Sequence, residues 1–297
     1  MLDFRLNVFY TVAQKLNFTK AAAELFISQP AVTKHIRELE AHFNTKLFER
    51  SGNSKISLTP AGQLLLAYAE KVASAYRELE SDLNLLSEHY KGVLRLGAST
   101  TAAQYIMPVI LAQFRQKFKE VKISFLTGNT EQIEQALIDK KIDIGFTEGL
   151  SHHLEISYQH FLDDELVLVA STGNSFKKET IKPDDLKAIP LLLREQGSGT
   201  LEVIADSLKK HHIKLSDLKI EMQLESTESI KNYLFNSNCM AFLSVHAILK
   251  ELRNSECRII DVKGLSITRP FSIIQLHGQP LSLAKVFTKF ALANNKF

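Results

Sequence analysis

The stretch Phe18-Thr19-Lys20-Ala21-Ala22-Ala23-Glu24-Leu25-Phe26-Ile27-Ser28-Gln29-Pro30-Ala31-Val32-Thr33-Lys34-His35-Ile36-Arg37 decides the reading of the N-terminal fold. Asn17 to Lys20 start a helix that runs to Phe26, and Ile27-Ser28 breaks it. Ser28 is a good N-cap, and Pro30 suits a first helical turn, where a missing N–H costs nothing. A further helix then extends to about Phe43, with apolar positions Val32, Ile36, Leu39 and Phe43 at steps of four, three and four, one buried stripe. Residues 2–15 supply a preceding helix with an apolar face of Leu2, Leu6, Phe9, Val12 and Ala13.

The face opposite the stripe carries Gln29, Thr33, Lys34 and Arg37, with Ser28 at its start. Side chains of these types reach base edges and phosphates from a helix laid in the major groove. Two short helices and a tight turn read as a helix-turn-helix; the same spacing also fits a three-helix bundle with a solvated outer face. Ser51 to Ser54 are turn formers between short apolar runs, a hairpin from which Arg50 and Lys55 reach the DNA backbone. Charge adds a modest signal: residues 1–62 carry eight basic against five acidic side chains, and residues 63–90 carry two against five.

These residues carry a resemblance. Phe18-Thr19-Lys20-Ala21-Ala22, Leu25, Ile27 to Thr33, Ile36 and Leu39-Glu40, then Lys46-Leu47-Phe48-Glu49-Arg50 and Leu58-Thr59-Pro60-Ala61-Gly62, resemble the signature of LysR-type transcriptional regulators. The resemblance implies that Gln29, Pro30, Thr33, Lys34 and Arg37 face DNA; Thr19, at the start of the second helix, joins them as a candidate contact. Asn53-Ser54 stands where the family often has Arg, which weakens the expectation of a strong wing contact.

From Pro60 to Lys91 only Gly62 interrupts a helical pattern. Leu65, Val72, Leu79 and Leu86 recur every seven residues, as do Ala69, Tyr76, Leu83 and Tyr90, the seam of a coiled coil. A stripe of this length needs a partner, on its own domain or on a second copy; the resemblance implies pairing, commonly a homotetramer, on an inverted repeat of double-stranded DNA.

Beyond Gly92, strands at 93–97, 121–126, 142–146, 165–170, 191–193, 220–224, 240–243 and 269–274 alternate with helices, which argues for βαβ units. The expected fold class is α+β multidomain: a winged helix-turn-helix over 1–58, a linker and dimerisation helix over 59–90, and an effector-binding α/β domain over 91–297. The resemblance implies two subdomains like those of periplasmic binding proteins, I (about 91–162 and 269–297) and II (about 163–268), with crossovers near 162–164 and 267–269. In open α/β sheets ligands lie beyond the carboxyl ends of the strands. Three loops qualify: Ser99-Thr100-Thr101, Thr127-Gly128-Asn129-Thr130, and Arg194 with Gly197-Ser198-Gly199-Thr200. Their hydroxyls, backbone N–H groups and one cation favour an anion, although each can equally serve as a helix cap or an ordinary loop. Glu148 ends a strand near this cleft, either shaping ligand choice or solvated.

The expected ligand is a small anionic metabolite acting as co-inducer, with no cofactor and no metal site. His152-His153 and His211-His212 are adjacent pairs that point different ways and suit the surface. Cys239 and Cys257 fit packing, not redox sensing. The start Met1-Leu2-Asp3-Phe4-Arg5 lacks a secretory signal and no apolar run spans a bilayer, so a cytoplasmic location with no membrane partner is expected. RNA polymerase is a further expected partner. No catalytic constellation stands out, so an enzyme is not expected. A solute-binding receptor and an α/β enzyme using Glu148 or a histidine as base are the rivals, and neither explains residues 17–62.

Overall fold

The computed structural model describes residues 3–51, 55–86, 90–150, 152–278 and 282–295. The chain divides into two compact units, Met1–His89 and Tyr90–Phe297. In the first, α1 (Phe4–Lys15), α2 (Phe18–Glu24) and α3 (Gln29–Phe43) precede a hairpin of β1 (Phe48–Ser51) and β2 (Lys55–Leu58), and α4 (Pro60–Leu86) follows. Local chemistry sets each helix start. Asp3, Asn17 and Ser28 each accept a hydrogen bond from a backbone N–H two or three residues on, satisfying one orphan donor apiece. Val8, Phe9, Val12, Ala21, Ala22, Val32, Ile36, Leu39 and Leu47 close the core.

Several apolar positions differ from expectation. Phe43 is 50% exposed, because α3 ends there on Asn44 in a left-handed cap. In α4, Leu65 packs against the helix-turn-helix core and Ala69 is buried, while Leu64, Tyr68, Val72, Leu79 and Leu83 are exposed. The first turns of α4 spend Leu65 and Ala69 of the expected seam on their own unit and turn Leu64 and Tyr68 outward, while Val72, Leu79 and Leu83 of the seam stay exposed. Tyr90 leaves the seam altogether and stacks edge-on against Phe118 in the second unit.

The second unit comprises β3 (Gly92–Ser99), a π-helical turn (Ala102–Ile106), α5 (Met107–Lys117), β4 (Val121–Gly128), α6 (Thr130–Ile138), β5 (Ile144–Glu148) and β6 (Ile156–Ser171). β7 (Thr180–Ile181), β8 (Leu191–Arg194), α7 (Gly199–Lys209), β9 (Ile220–Leu224), α8 (Thr227–Phe235), β10 (Met240–Ser244), α9 (Val245–Arg253), β11 (Cys257–Val262), β12 (Ile267–Leu276) and α10 (Ser282–Ala293) follow. The strands run β4-β3-β5-β12-β6-β10-β8-β9, with β11 branching from β6 and β7 pairing with β11. β3, β4 and β5 are mutually parallel, as are β10, β8 and β9, whereas β6 and β12 pair antiparallel between these sets.

Each set has its own core. Leu94, Leu96, Ile110, Phe114, Phe146, Phe271 and Phe287 pack together in one. In the other, alternate residues of β6 and β10 are buried on opposite faces, Leu168 and Phe242 against Val169 and Leu243, so helices cover both sides. β6 starts at Ile156, well before the expected strand at 165–170. A bulge opposite Phe271 and Ser272 skips Phe161 and breaks the alternation that a sequence reading relies on.

Candidate nucleic-acid interface and anion cleft

The outer face of α3 is solvent-facing. Thr19, Ser28, Gln29, Pro30, Lys34 and Arg37 are exposed and Thr33 is half-buried. Gln29 Nε2 donates to Thr33 Oγ1 at 2.9 Å, and Lys34 lies 3.8 Å from Glu38. Arg37 has no ion-pair partner among the described residues. The face therefore offers an exposed helix N-terminus, where an anion is favoured, and, more than two turns further along α3, the exposed Arg37 guanidinium. Glu40, on the inner edge of α3, fixes this face to the hairpin. It takes Lys46 Nζ at 2.8 Å and the Leu47 amide at 3.0 Å. Burial pushes its carboxyl up, but these donors outweigh it and hold the group below its ordinary value. Thr59 completes the joint by donating to Lys46 O and accepting from the Gly62 amide. Gly62 is required there, since a Cβ would fall 2.1 Å from Leu47 O. The backbone of Arg50 and Lys55 lies in β1 and β2; their side chains, and Asn53-Ser54, lie outside the described residues.

In the second unit the expected loops converge. Thr130, at the start of α6, donates to Glu148 O at 2.7 Å and accepts from the Gly199 amide at 3.3 Å. Glu131 N donates to Gly197 O, and Asn129 Nδ2 to Gln196 O. Asn129 also caps α6 in a reciprocal box with Gln132, so its Oδ1 is already used. Ser99 and Glu148, both expected at the cleft, satisfy each other: the buried Ser99 hydroxyl donates to the Glu148 carboxylate. Thr101 is buried, while Thr127 is exposed and its hydroxyl makes no hydrogen bond among the described residues. Arg194 is buried, and its Nη2 reaches Thr100 Oγ1 at 3.2 Å. Thr100 in turn donates to Gly128 O. In these loops two buried donors, Arg194 Nη1 and Ser198 Oγ, have no partner among the described residues; Ser198 precedes α7 yet makes no capping bond. Buried unpaired donors are costly and mark a place for an acceptor.

Beneath these loops lies a charged network that sequence reading missed. Arg269 Nε donates to Asp164 Oδ2 at 2.8 Å, and Nη2 lies 2.8 Å from the same oxygen, off the hydrogen-bond direction. Arg269 Nη1 donates to Thr200 Oγ1 at 2.7 Å and stands 3.5 Å from Glu148, while Ser244 donates to Asp164 Oδ1. Asp164 and Arg269 face each other in the β6–β12 register. A signal existed, since opposite charges stand at the two expected crossovers.

The remaining candidates have structural partners. His153 lies 3.4 Å from Glu134, a carboxyl that burial pushes up, and His152 stacks edge-on against Tyr158, whose hydroxyl is pushed up to about 12, chiefly by burial. Cys239 and Cys257 are free and buried, and burial pushes the Cys257 thiol up to about 11. Among the described residues no cluster could hold a metal ion, and no helix is long and apolar enough to cross a membrane.

Residues 4–63 match the family model described as "Bacterial regulatory helix-turn-helix protein, lysR family", and residues 87–295 match "LysR substrate binding domain". The chain is 32% identical over 294 residues to the HTH-type transcriptional activator CmpR of Synechocystis sp. strain PCC 6803, covering 98% of this chain and 95% of that one. The Synechocystis PCC6803 CcmR regulatory domain, solved in complex with 2-PG, is 28% identical with a TM-score of 0.63, covering 69% of this chain and 98% of that one. Full-length CbnR complexed with its target DNA shares the fold at 22% identity, with a TM-score of 0.68 over 98% of this chain and 99% of that one.

Proposed function

We propose that this chain, which belongs to the LysR family of bacterial regulatory helix-turn-helix proteins, is a cytoplasmic transcription regulator whose hold on DNA is set by a small anion in its C-terminal cleft. The observation that carries the reading is the outer face of α3, where Gln29, Thr33, Lys34 and an Arg37 without an ion-pair partner among the described residues follow an exposed helix start. In this reading Ser28 and Pro30 approach the groove, and Thr19, Arg50 and Lys55 meet phosphates. The exposed apolar stripe of α4 pairs with a second copy, so two recognition helices meet an inverted repeat. RNA polymerase is the downstream partner.

The cleft loops 99–101, 127–130 and 194–200, with Glu148 beneath them, take the effector. Arg194 supplies charge, and helix starts supply N–H groups. The effector acts by binding one arrangement of the C-terminal unit more tightly than another. A small phosphorylated or carboxylated metabolite suits these donors, and the relative solved with 2-PG supports that class.

The test is fluorescence anisotropy on the divergent promoter beside the protein's own gene, across a salt series. Binding is expected to be salt-sensitive and tighter than to random DNA, and Arg37→Ala should cost about 1–3 kcal/mol. Binding by Arg37→Ala equal to wild type would remove α3 as the reading element.

A further inference from the structure

Arg194 is the cation that the cleft presents, yet its own neighbour already holds it. Glu195 Oε2 accepts from Arg194 Nε at 2.8 Å and Oε1 accepts from Nη2 at 2.9 Å, a two-pronged clasp of the kind a carboxylate or phosphate ligand makes. The pair is close to electrically neutral, while Nη1 stays buried without an acceptor among the described residues. The partners are unequally placed. The Arg194 side chain is 3% exposed and tied to Thr100, whereas the Glu195 side chain is 18% exposed, in the turn before Gly197. Gly197 has φ +82, and the turn closes with the Ser198 amide donating to Glu195 O at 3.3 Å. Glu195 is therefore the partner that can regain hydration once an anion takes its place on the guanidinium, and Arg194 is not.

We propose that Glu195 is an internal stand-in for the effector's anionic group, competing with it for Arg194 and so setting the anion concentration at which the cleft responds. The inference rests on reading the cleft as an anion site. It also separates two roles for a carboxylate beside a binding arginine, which predict effects of opposite sign. A residue that only orients the guanidinium helps the ligand, so its loss weakens binding. A competitor opposes the ligand, so its loss strengthens binding.

The experiment uses the full chain with inorganic phosphate and sulfate as probes, at constant ionic strength held with chloride, and reads both calorimetric affinity and thermal midpoint. Glu195→Gln keeps size and shape and removes the charge. Its phosphate dissociation constant is expected to fall tenfold or more. Its midpoint should drop in chloride, where a buried guanidinium is left uncompensated, and recover as phosphate is added. Glu195→Ala should show the same rescue, and the double variant Arg194→Gln with Glu195→Gln should lose it. Unchanged or weaker phosphate binding by Glu195→Gln, with Arg194→Gln alone still reducing wild-type anion binding, would overturn the competitor role and leave the cleft reading standing. Anion binding indifferent to every substitution at 194 and 195 would overturn both.

Discussion

Replacing Gly199 by alanine should force apart the two halves of the C-terminal unit with a single methyl group. An ideal Cβ at Gly199 falls 1.8 Å from the Glu148 carbonyl oxygen and 2.8 Å from Thr130 Oγ1. Non-bonded atoms rest near about 3.5 Å, so the start of α7 and the end of β5 must part by roughly 1.5 Å. That movement breaks the bond from the Gly199 amide to Thr130 and disturbs the one from Thr130 to Glu148 O. Overpacking costs about 1–3 kcal/mol and each hydrogen bond about 1 kcal/mol, a total of about 3–5 kcal/mol. For a unit of this size the thermal midpoint should fall by roughly 10 °C. Scanning calorimetry on the full chain reads the loss, with Gly173→Ala as control, because a Cβ there meets nothing closer than 3.6 Å. A Gly199→Ala protein that melts with wild type and keeps its anion response would refute the contact between α7 and β5.

Further outcomes follow from the same structure. Asp164→Asn leaves the buried Arg269 short of its main counter-charge and should cost about 3–5 kcal/mol, whereas Asp164→Leu combined with Arg269→Met should cost less than the sum of the single changes; urea titrations decide this. Because the folded state holds Glu40 below its ordinary value, its contribution is full above that ordinary value and is lost as pH falls through the folded one. Glu40→Gln should therefore lower the thermal midpoint near neutrality and flatten its decline on acidification; parallel curves for the two proteins would discount the Lys46 and Leu47 contacts. Leu79→Lys on α4 should weaken self-association by about 1.5–3 kcal/mol per buried leucine, read by sedimentation; unchanged association would move the interface off this stripe.

What the sequence determined alone was local. Ser28, Pro30 and the steps joining Val32, Ile36 and Leu39 specify a helix start and its buried face, because capping and periodicity act within a few residues. Most strands and helices of βαβ type were legible for the same reason, as were the loops that carry Thr100, Thr130 and Arg194. Three things needed the tertiary structure. Which residues of α4 face outward depended on the first turns packing on the core of the N-terminal unit, which withdrew Leu65 and Ala69 from the stripe and added Leu64 and Tyr68 to it. The length of β6 depended on pairing with β12 from a distant part of the chain, across a bulge that hides its alternation. The state of the cleft donors depended on partners as well. Ser99 and Glu148 satisfy each other, Arg269 bridges Asp164 and Thr200, and Glu195 occupies Arg194. A sequence shows which groups could bind an anion; only folding decides which are already spent, because hydrogen bonding and charge pairing are settled between residues that the chain brings together from far apart.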